Sequence, residues 1–338
     1  MDREKSSGII AQLALPSQRQ GRPIRKQTKV LTEEEKERKK NNMHLILWKE
    51  LFFNYHVGRC PDEYRFLLTE HVFTGRDDRE TIIRLFFEEY KTIALMFVPQ
   101  EFLALIANGQ ETGIVINMGH THTNIVPIWK LNILRDKAVM LPVGGQDVTR
   151  ALELFLKHTR ADQVYSICDF DQLVVEDIKE SKGYVAVDYE AEMRKPEKLT
   201  EFELPDYQVV NLGRELFRCT ECFFQPHLFG IQNTKGLIES VNGVIDSLEV
   251  GIRREIADQS ASIFLAGSSS RFPGLVERLQ AGVEKEHCPM KVRAAPERHM
   301  SSWIGGSIWA KLGQNKNSWT TKEEYDEFGP SVVHSKCI

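Results

Sequence analysis

The chain has 338 residues, of which 41% are hydrophobic and 27% are charged, and its formal net charge is −4 at pH 7. This composition is typical of a soluble globular protein with a sizeable core, and it gives no reason to expect direct binding to nucleic acid. No apolar run approaches the roughly 20 residues that a membrane-spanning helix needs. The six cysteines are scattered, which favours a reducing compartment over a disulfide scaffold.

The first 41 residues differ in composition from the rest of the chain. Residues 21–40 carry eight Lys or Arg and four Glu, a local charge of +4. Residues 17–30 have almost no apolar side chains, so we expect residues 1–41 to form a basic, disordered extension. Thr32 and Glu35 form a capping box, which predicts a helix starting there. A solvated tail and a nuclear-import or partner-binding segment stay open as interpretations of this extension.

Segments with the spacing of strands and of helices alternate through the body of the chain. Such alternation predicts an α/β architecture. Strands are expected at residues 66–73 and 94–100, helices at 76–90 and 101–110, and a strand–turn–strand hairpin at 113–129 with its turn at 118–121. Further along, we expect a helix at 147–158, a polar helical region at 159–205, and a strand, a Ser/Gly turn and a helix at 262–279.

Both small-residue turns, at 118–121 and 267–271, are predicted places where backbone N–H groups hold an anion. Each follows a strand. The two strand–turn units, residues 113–121 and 263–274, could be the two halves of a pseudo-duplicated fold.

Several stretches of the chain together match one known family. They are TGIVINMGHTHTNIVPIW, LPVGGQDVTRAL, VEDIKESKGYVAVDYEAEM, FELPDYQVVNLGRELFRCTECFFQP, LAGSSSRFPGLVERL, and APERHMSSWIGGSIWAKL followed by SWTTKEEYDEFGPSVVHSKCI. With these stretches the chain resembles the actin and actin-related protein family. All occur in the family's order, from about residue 42 to residue 338. The resemblance implies an α/β actin-like ATPase fold of the duplicated ribonuclease-H-like type, incomplete in its first domain.

The resemblance also implies how the chain divides into domains. The first domain comprises residues 42–107 and 301–338, without the family's N-terminal strands, and the second comprises residues 108–300. A helical subdomain is inserted at about residues 144–235. The family's first phosphate turn and its DNase-binding loop have no counterpart that we recognise in this sequence.

The family holds ATP and a divalent metal, but the second phosphate turn of this chain departs from the family's pattern. Asn117 and His120 stand where the family has two Asp residues, and Thr121 replaces a Gly. Because Mg²⁺ prefers carboxylates, we expect weak binding of ATP or ADP at most and no firmly held Mg²⁺. A Cβ at residue 121 would be strained if the turn needs a positive φ. Gln100 matches the family's water-orienting glutamine, and Asn124 stands where actins have a His near the attacking water.

The other candidate nucleotide contacts are carried over by position. Lys179 and Glu180 match the family's ribose- and base-contacting pair. Ser268, Phe272 and His299 replace the family's Gly, Tyr and Lys. The full set of candidate cofactor-binding residues is Gly119, Thr121, Gly145, Lys179, Glu180, Gly267, Ser268, Phe272 and His299. No catalytic residue and no metal ligand is assigned.

Structural interpretations stand beside these functional ones. His120 and His122 are two residues apart, as zinc ligands on a strand would be, but a solvated turn explains them as well. The Cys219–Cys222 pair is expected to be two buried thiols. The Lys179–Glu180 pair is open between a surface helix pair and a ligand contact. Residues 303–308, WIGGSI, are open between packing and a partner-binding cleft.

The resemblance and these departures predict a non-catalytic actin-related protein with a degenerate nucleotide site. It would act by protein–protein contact, as a filament-end or complex subunit, with actin or other actin-related proteins as partners in a multi-subunit complex. We expect a cytoplasmic, cytoskeletal location, without membrane association. Two alternatives stay open: an ATP-binding cytoskeletal protein with slow ATPase activity, and a nuclear subunit of a chromatin-remodelling complex. A gene model that lacks upstream coding sequence is a further interpretation.

Overall fold

The structure is a computed structural model, and it describes residues 9–11, 62, 64–159, 172–205, 207–258, 262–287, 290–312 and 317–336. For residues 9–11 it describes the backbone only. The chain divides into two compact units, which we call the first unit (Met1–Pro99 with Gly306–Ile338) and the second unit (Gln100–Gly305). The domain boundaries that the resemblance implies stay a prediction.

The strands and helices of the described residues are numbered here in chain order. The strands are β1 Ile9–Ala11, β2 Arg65–Glu70, β3 Ala94–Pro99, β4 Gly113–Met118, β5 Thr123–Trp129, β6 Asn132–Ile133, β7 Val139–Leu141, β8 Thr200–Glu203, β9 Val209–Leu212, β10 Ile263–Ala266, β11 Val292–Arg293 and β12 Thr320–Thr321. The helices are α1 Arg76–Arg84, α2 Gln100–Ala107, α3 Gly145–Thr159, α4 Gln172–Lys182, α5 Tyr189–Arg194, α6 Glu215–Arg218, α7 Leu237–Ser247, α8 Val250–Ala257, α9 Leu275–His287, α10 Ser301–Lys311, α11 Lys322–Phe328 and α12 Val333–Lys336.

The first unit is built on a sheet with the strand order β1-β2-β3-β12. Strands β2 and β3 are parallel, whereas β12 pairs antiparallel with β3. Aromatic side chains fill the core, and the rings of Phe66 and Phe86 meet edge to face with centroids 5.4 Å apart. The predicted helix at residues 76–90 forms as α1 and then continues as a π-helical turn, Leu85–Glu89.

Residues 9–11 differ from the disordered extension that the sequence predicts. Their backbone pairs in parallel with β2, with Ile9 opposite Phe66. Two adjacent isoleucines favour an extended backbone, and the outer edge of β2 offers unpaired backbone groups to such a segment. The rest of the extension, and the helix predicted from Thr32, lie outside the described residues.

The second unit is built on a sheet with the strand order β11-β10-β4-β5-β6, and β7 also pairs with β5. The predicted hairpin at residues 113–129 is confirmed as β4 and β5, in which Asn117 lies opposite Asn124. Strand β10 lies parallel to β4, with Ile263 opposite Ile114. Because parallel strands end at the same edge of a sheet, the turns that follow β4 and β10 lie side by side.

The helical prediction for residues 159–205 is wrong at its end, where β8 pairs with β9 as a hairpin. Phe202 is buried between exposed Glu201 and Glu203, which is the alternation of a half-buried strand. Helices α4 and α5 fall in the remaining part of the region, and residues 160–171 lie outside the described residues. None of the helices in the described ranges is long and apolar enough to cross a membrane.

A buried ion pair joins strand β2 to helix α1. The Arg79 guanidinium donates to both carboxylate oxygens of Glu70, with Nε–Oε2 and Nη2–Oε1 distances of 2.6 and 2.7 Å. Both side chains are buried. When one partner of such a pair is removed, the remaining partner is left as a buried charge without compensation.

We therefore expect Arg79→Ala to lower the free energy of unfolding of the first unit by about 3–5 kcal/mol. The matched control on the same helix is Arg84→Ala, because Arg84 is exposed and pairs with Glu80 at 3.4 Å. That change should cost less than about 1 kcal/mol. Urea unfolding of the two variants measures both effects, and equal losses would contradict the role given to the buried pair.

Candidate functional site

The turn between β4 and β5 is tight and closed by its own backbone. Gly119 N donates to His122 O at 3.0 Å, which confirms the predicted turn. The condition for strain at Thr121 is not met, because Thr121 is not among the residues with positive φ. Its hydroxyl oxygen instead shares a 2.8 Å hydrogen bond with His122 Nδ1. The turn therefore accepts a Cβ at residue 121 without a left-handed backbone.

Two other loops of the second unit pack directly on this turn. The Gly119 carbonyl accepts hydrogen bonds from Gly145 N at 3.0 Å and from Ser269 Oγ at 2.9 Å. The His120 carbonyl accepts from Gln146 N at 2.7 Å. The structure thus brings together the three loops that contain the candidate residues Gly119, Gly145 and Ser268.

The first four N–H groups of helix α3 all have acceptors inside the protein. Those of residues 145 and 146 donate to the turn carbonyls just described, and those of Asp147 and Val148 donate to Gly144 O at 3.1 and 3.5 Å. Helix N-termini bind anions through N–H groups that lack such acceptors. The N-terminus of α3 therefore presents no spare backbone donor to an anion in this conformation.

Glycines allow the loops to approach each other this closely. A Cβ on Gly144 would lie 2.3 Å from His120 O, and a Cβ on Gly267 would lie 2.3 Å from Met118 O. Gly267 also has a φ of +85°, which disfavours any other residue. At both positions the glycine makes room for the protein's own backbone.

A buried carboxyl group that the sequence interpretation overlooked lies beside the turn. Glu101 is the second residue of α2, and its exposed fraction is 0%. Its Oε1 accepts hydrogen bonds from Asn117 Nδ2 at 3.1 Å and from Asn124 Nδ2 at 2.8 Å. Asn117 Nδ2 also lies 3.1 Å from Gln100 Oε1. The other carboxyl oxygen of Glu101, Oε2, has no hydrogen-bond partner in the described part of the chain.

The two asparagines converge on Glu101 because they are a cross-strand pair. Asn117 and Asn124 are opposite each other in the β4–β5 ladder, so their side chains share one face of the sheet. Burial raises the pKa of Glu101, and the amide hydrogen bonds and nearby His122 lower it only in part. A raised pKa favours the neutral carboxylic acid. A glutamate inside the apolar run PQEFLALIA was the sequence signal for this group.

Lys179 and Glu180, the candidate contacts for the ribose and base, differ in their exposure to solvent. Lys179 Nζ donates to Thr149 Oγ1 at 2.9 Å, and the residue is only 7% exposed. Burial lowers the pKa of its ammonium group. Glu180, the next residue on α4, is exposed. Lys179 thus joins α4 to α3, and a nucleotide contact by this pair stays a prediction.

The three substituted positions, Ser268, Phe272 and His299, lie in or near the second turn. Ser268 is exposed, whereas Phe272 is buried with its ring 6.4 Å from that of Phe223. His299 is half-buried, and its Nδ1 has no hydrogen-bond partner among the described residues. Their roles toward a ligand also stay predictions.

The histidines and cysteines singled out in the sequence have ordinary structural surroundings. His120 is exposed and His122 half-buried, and both lie in the turn rather than on a strand. Cys219 and Cys222 are confirmed as buried free thiols. Burial raises the pKa of Cys219 to about 12 and that of Cys222 well above its usual value, so neither is a reactive thiolate at neutral pH.

One comparison with known proteins bears on this arrangement. The family model described as Actin matches residues 38–338 of the chain. The match extends over the second unit and most of the first, and it includes the turns after β4 and β10.

The buried carboxyl predicts a pH dependence of stability. The folded-state pKa of Glu101 lies above its ordinary value of 4.5, so the folded state binds this proton more tightly than the unfolded state. The free energy of unfolding should therefore fall as pH rises from the ordinary value through the folded pKa, by about 1.4 kcal/mol for each pH unit that separates the folded and unfolded pKa values. Glu101→Gln should remove this fall, because an amide of the same shape does not titrate.

Urea unfolding of both proteins from about pH 4.5 to about pH 8 measures the effect. Glu180→Gln is the control, since it removes an exposed acid from α4 and should leave the pH profile unchanged. Parallel profiles for the wild type and Glu101→Gln would show that the carboxyl does not carry a shifted pKa.

Proposed function

Because the chain belongs to the actin family, we propose that it is a non-catalytic member that acts by protein–protein contact. The match over residues 38–338 confirms the family and the α/β actin-like fold that the sequence predicts. Family membership leaves open whether this member hydrolyses ATP. The choice between the two rests on the side chains and loops of the second unit.

The main support for the proposal is the position of the acidic residue Glu101, which lies on α2 and not in the turn after β4. Mg²⁺ is a hard cation that needs carboxylates or waters organised by them. The turn after β4 supplies Asn117 and His120, neither of which is anionic, and the Asn117 amide nitrogen already donates to Glu101. The carboxyl of Glu101 is fully buried, and its raised pKa favours the neutral form. This donor set does not fit a magnesium ion held by carboxylates.

The loops give independent support. Phosphate groups in such turns are held by backbone N–H groups. Here the N–H groups of Gly145 and Gln146 donate to the carbonyls of Gly119 and His120. Phosphoryl transfer depends on positioning and on stabilisation of charge, so a site without the metal and without the N–H groups of α3 offers less of both. ATP or ADP would then be held only weakly, through the candidate residues for the ribose and base such as Lys179 and Glu180.

The partners and the location follow from the family resemblance. We expect actin or other actin-related proteins as partners, with this chain at a filament end or as a subunit of a larger complex in the cytoplasm. Partly exposed Trp303 and Met300, in and next to α10, are consistent with a contact surface, since aromatic residues and Met are enriched at interfaces. A nuclear subunit of a chromatin-remodelling complex is the alternative assignment.

A slow ATPase is the second candidate function, and one observation favours it. The Gln100 side chain is half-buried at the start of α2 and lies next to Asn117, as a water-orienting residue would. The two candidates differ in their need for metal-bound nucleotide, and a binding measurement separates them.

Equilibrium binding of ATP to the full-length protein should be measured by calorimetry with and without Mg²⁺. We expect no Mg²⁺-dependent binding at nucleotide concentrations of about 1 mM, which corresponds to a binding free energy weaker than about −4 kcal/mol. Weak binding that does not depend on the metal would agree with the proposal. Tight Mg²⁺-dependent binding with release of phosphate would overturn it in favour of the ATPase.

Restoring an acid at residue 117 should conflict with Glu101. Asn117→Asp removes an amide donor and places a second carboxyl group about 3 Å from the first in a buried site where at most one of the two can ionise, so we expect a loss of about 2–4 kcal/mol in the free energy of unfolding at neutral pH. Glu101→Ala in the same chain removes one of the two competing acids. The double variant should therefore lose less stability than the sum of the two single variants.

Chemical unfolding of the wild type, the two single variants and the double variant gives a double-mutant cycle for residues 101 and 117. Additive losses would show that residues 101 and 117 do not act as one cluster. Thr149→Ser provides a control for a buried polar residue elsewhere in the unit, and it should not couple to either change.

A further inference from the structure

The β8–β9 hairpin of the second unit carries an exposed tyrosine at its tip. Leu204 N donates to Gln208 O, and Tyr207 N donates to Leu204 O, both at 2.8 Å, so the turn has a defined backbone. Tyr207 is 83% exposed. Its side chain makes no hydrogen bond or ring contact with the described part of the chain. The ring is thus held out into solvent by an ordered turn.

The backbone of Tyr207 is also strained. Its φ is +67°, in the left-handed region that is disfavoured for residues with a Cβ and least suited to bulky ones. Glycine or asparagine would adopt this conformation more easily. No contact of the side chain within the described residues offsets the strain, so that part of the chain gives no reason for a tyrosine here. Strained exposed residues of this kind are a feature of binding sites.

The surroundings of Tyr207 are acidic. Towards the tip, residues 201–209 contain Glu201, Glu203 and Asp206 and no Lys or Arg, a net charge of −3, whereas Lys198 and Arg214 flank the hairpin at its base. The two glutamates are exposed and form no side-chain ion pair within the described structure. Val209, opposite Glu203 at the turn end of the ladder, is 57% exposed. The tip of the hairpin therefore combines an aromatic ring and a valine with acidic side chains.

We propose that this hairpin tip is a docking site for a partner protein with a basic contact surface, and that Tyr207 is its anchor residue. Tyrosine is enriched among the residues that dominate binding energy at interfaces. Opposite charge on the partner steers association and fixes orientation. The inference rests on the proposed function, since it specifies one surface through which the protein–protein contact is made.

The first experiment identifies the partner surface. Residue 207 is replaced by the photo-reactive amino acid p-benzoylphenylalanine in the full-length protein, and cross-linked peptides are identified by mass spectrometry. We expect a single partner whose cross-linked segment has net positive charge. A cross-linked segment that is acidic, or the absence of any cross-link in a complex recovered intact, would overturn the proposal.

The second experiment measures affinity for that purified partner. Tyr207→Gly should weaken binding at least about tenfold, while relief of the backbone strain raises Tm by about 2 °C. Tyr207→Phe keeps the ring and should retain most of the affinity. Replacing both Glu201 and Glu203 by Lys should weaken binding and reduce its dependence on salt. Because Tyr207→Gly is expected to stabilise the fold, loss of binding cannot be attributed to unfolding.

The matched control is Lys91→Gly. Lys91 is also exposed and has a φ of +54°, so the change relieves similar strain without removing an aromatic ring. It should leave affinity unchanged. Unchanged affinity of Tyr207→Gly would overturn the docking site alone, with the protein–protein function intact. A chain that forms no stable complex at all would instead overturn the proposed function.

Discussion

Parallel pairing of β4 with β10 is the constraint on which the candidate site depends. It brings two turns far apart in the sequence to one edge of the sheet, where Ser269 donates to Gly119 O. The antiparallel partner of β4 then places Asn124 beside Asn117, facing the start of α2. The positions that the resemblance assigns to a nucleotide site thus meet because of strand pairing, whatever their side chains are. What the site does depends on the side chains that this chain has there.

The cluster around Glu101 shows how a site can keep its geometry and change its chemistry. A carboxylate and an amide have nearly the same shape, so Asn117 fits where an acid would, but it donates a hydrogen bond and carries no charge. The acid of this cluster is on α2 instead, where two amides bind it and burial favours its neutral form. The titratable group therefore lies on α2 and not at residue 117. An amide at residue 117 attracts a metal ion less than a carboxylate would, and it adds a hydrogen-bonded connection between the helix and the hairpin.

The sequence predicted the parts of the fold that have strong local patterns. The β4–β5 hairpin and helices α1, α2 and α9 were predicted because their apolar periodicity and their turn residues agree. The β8–β9 hairpin was missed because short alternation around Phe202 was read as part of a polar helical region. Glu101 was missed for a different reason. The apolar run around it is the local sign of burial, but its partners Asn117 and Asn124 are 16 and 23 residues away and meet it only through the sheet. The internal acceptors for the α3 N–H groups are likewise a product of tertiary packing.

The satisfied N-terminus of α3 has a consequence for how the protein responds to its surroundings. In a protein whose loops are completed by a bound molecule, the folded fraction rises and falls with the supply of that molecule. Here carbonyls of the turn after β4 and of Gly144 already accept from the first N–H groups of α3, so these four donors gain nothing from an added anion. This end of α3 should therefore keep its hydrogen bonds whatever the concentration of nucleotide around the protein.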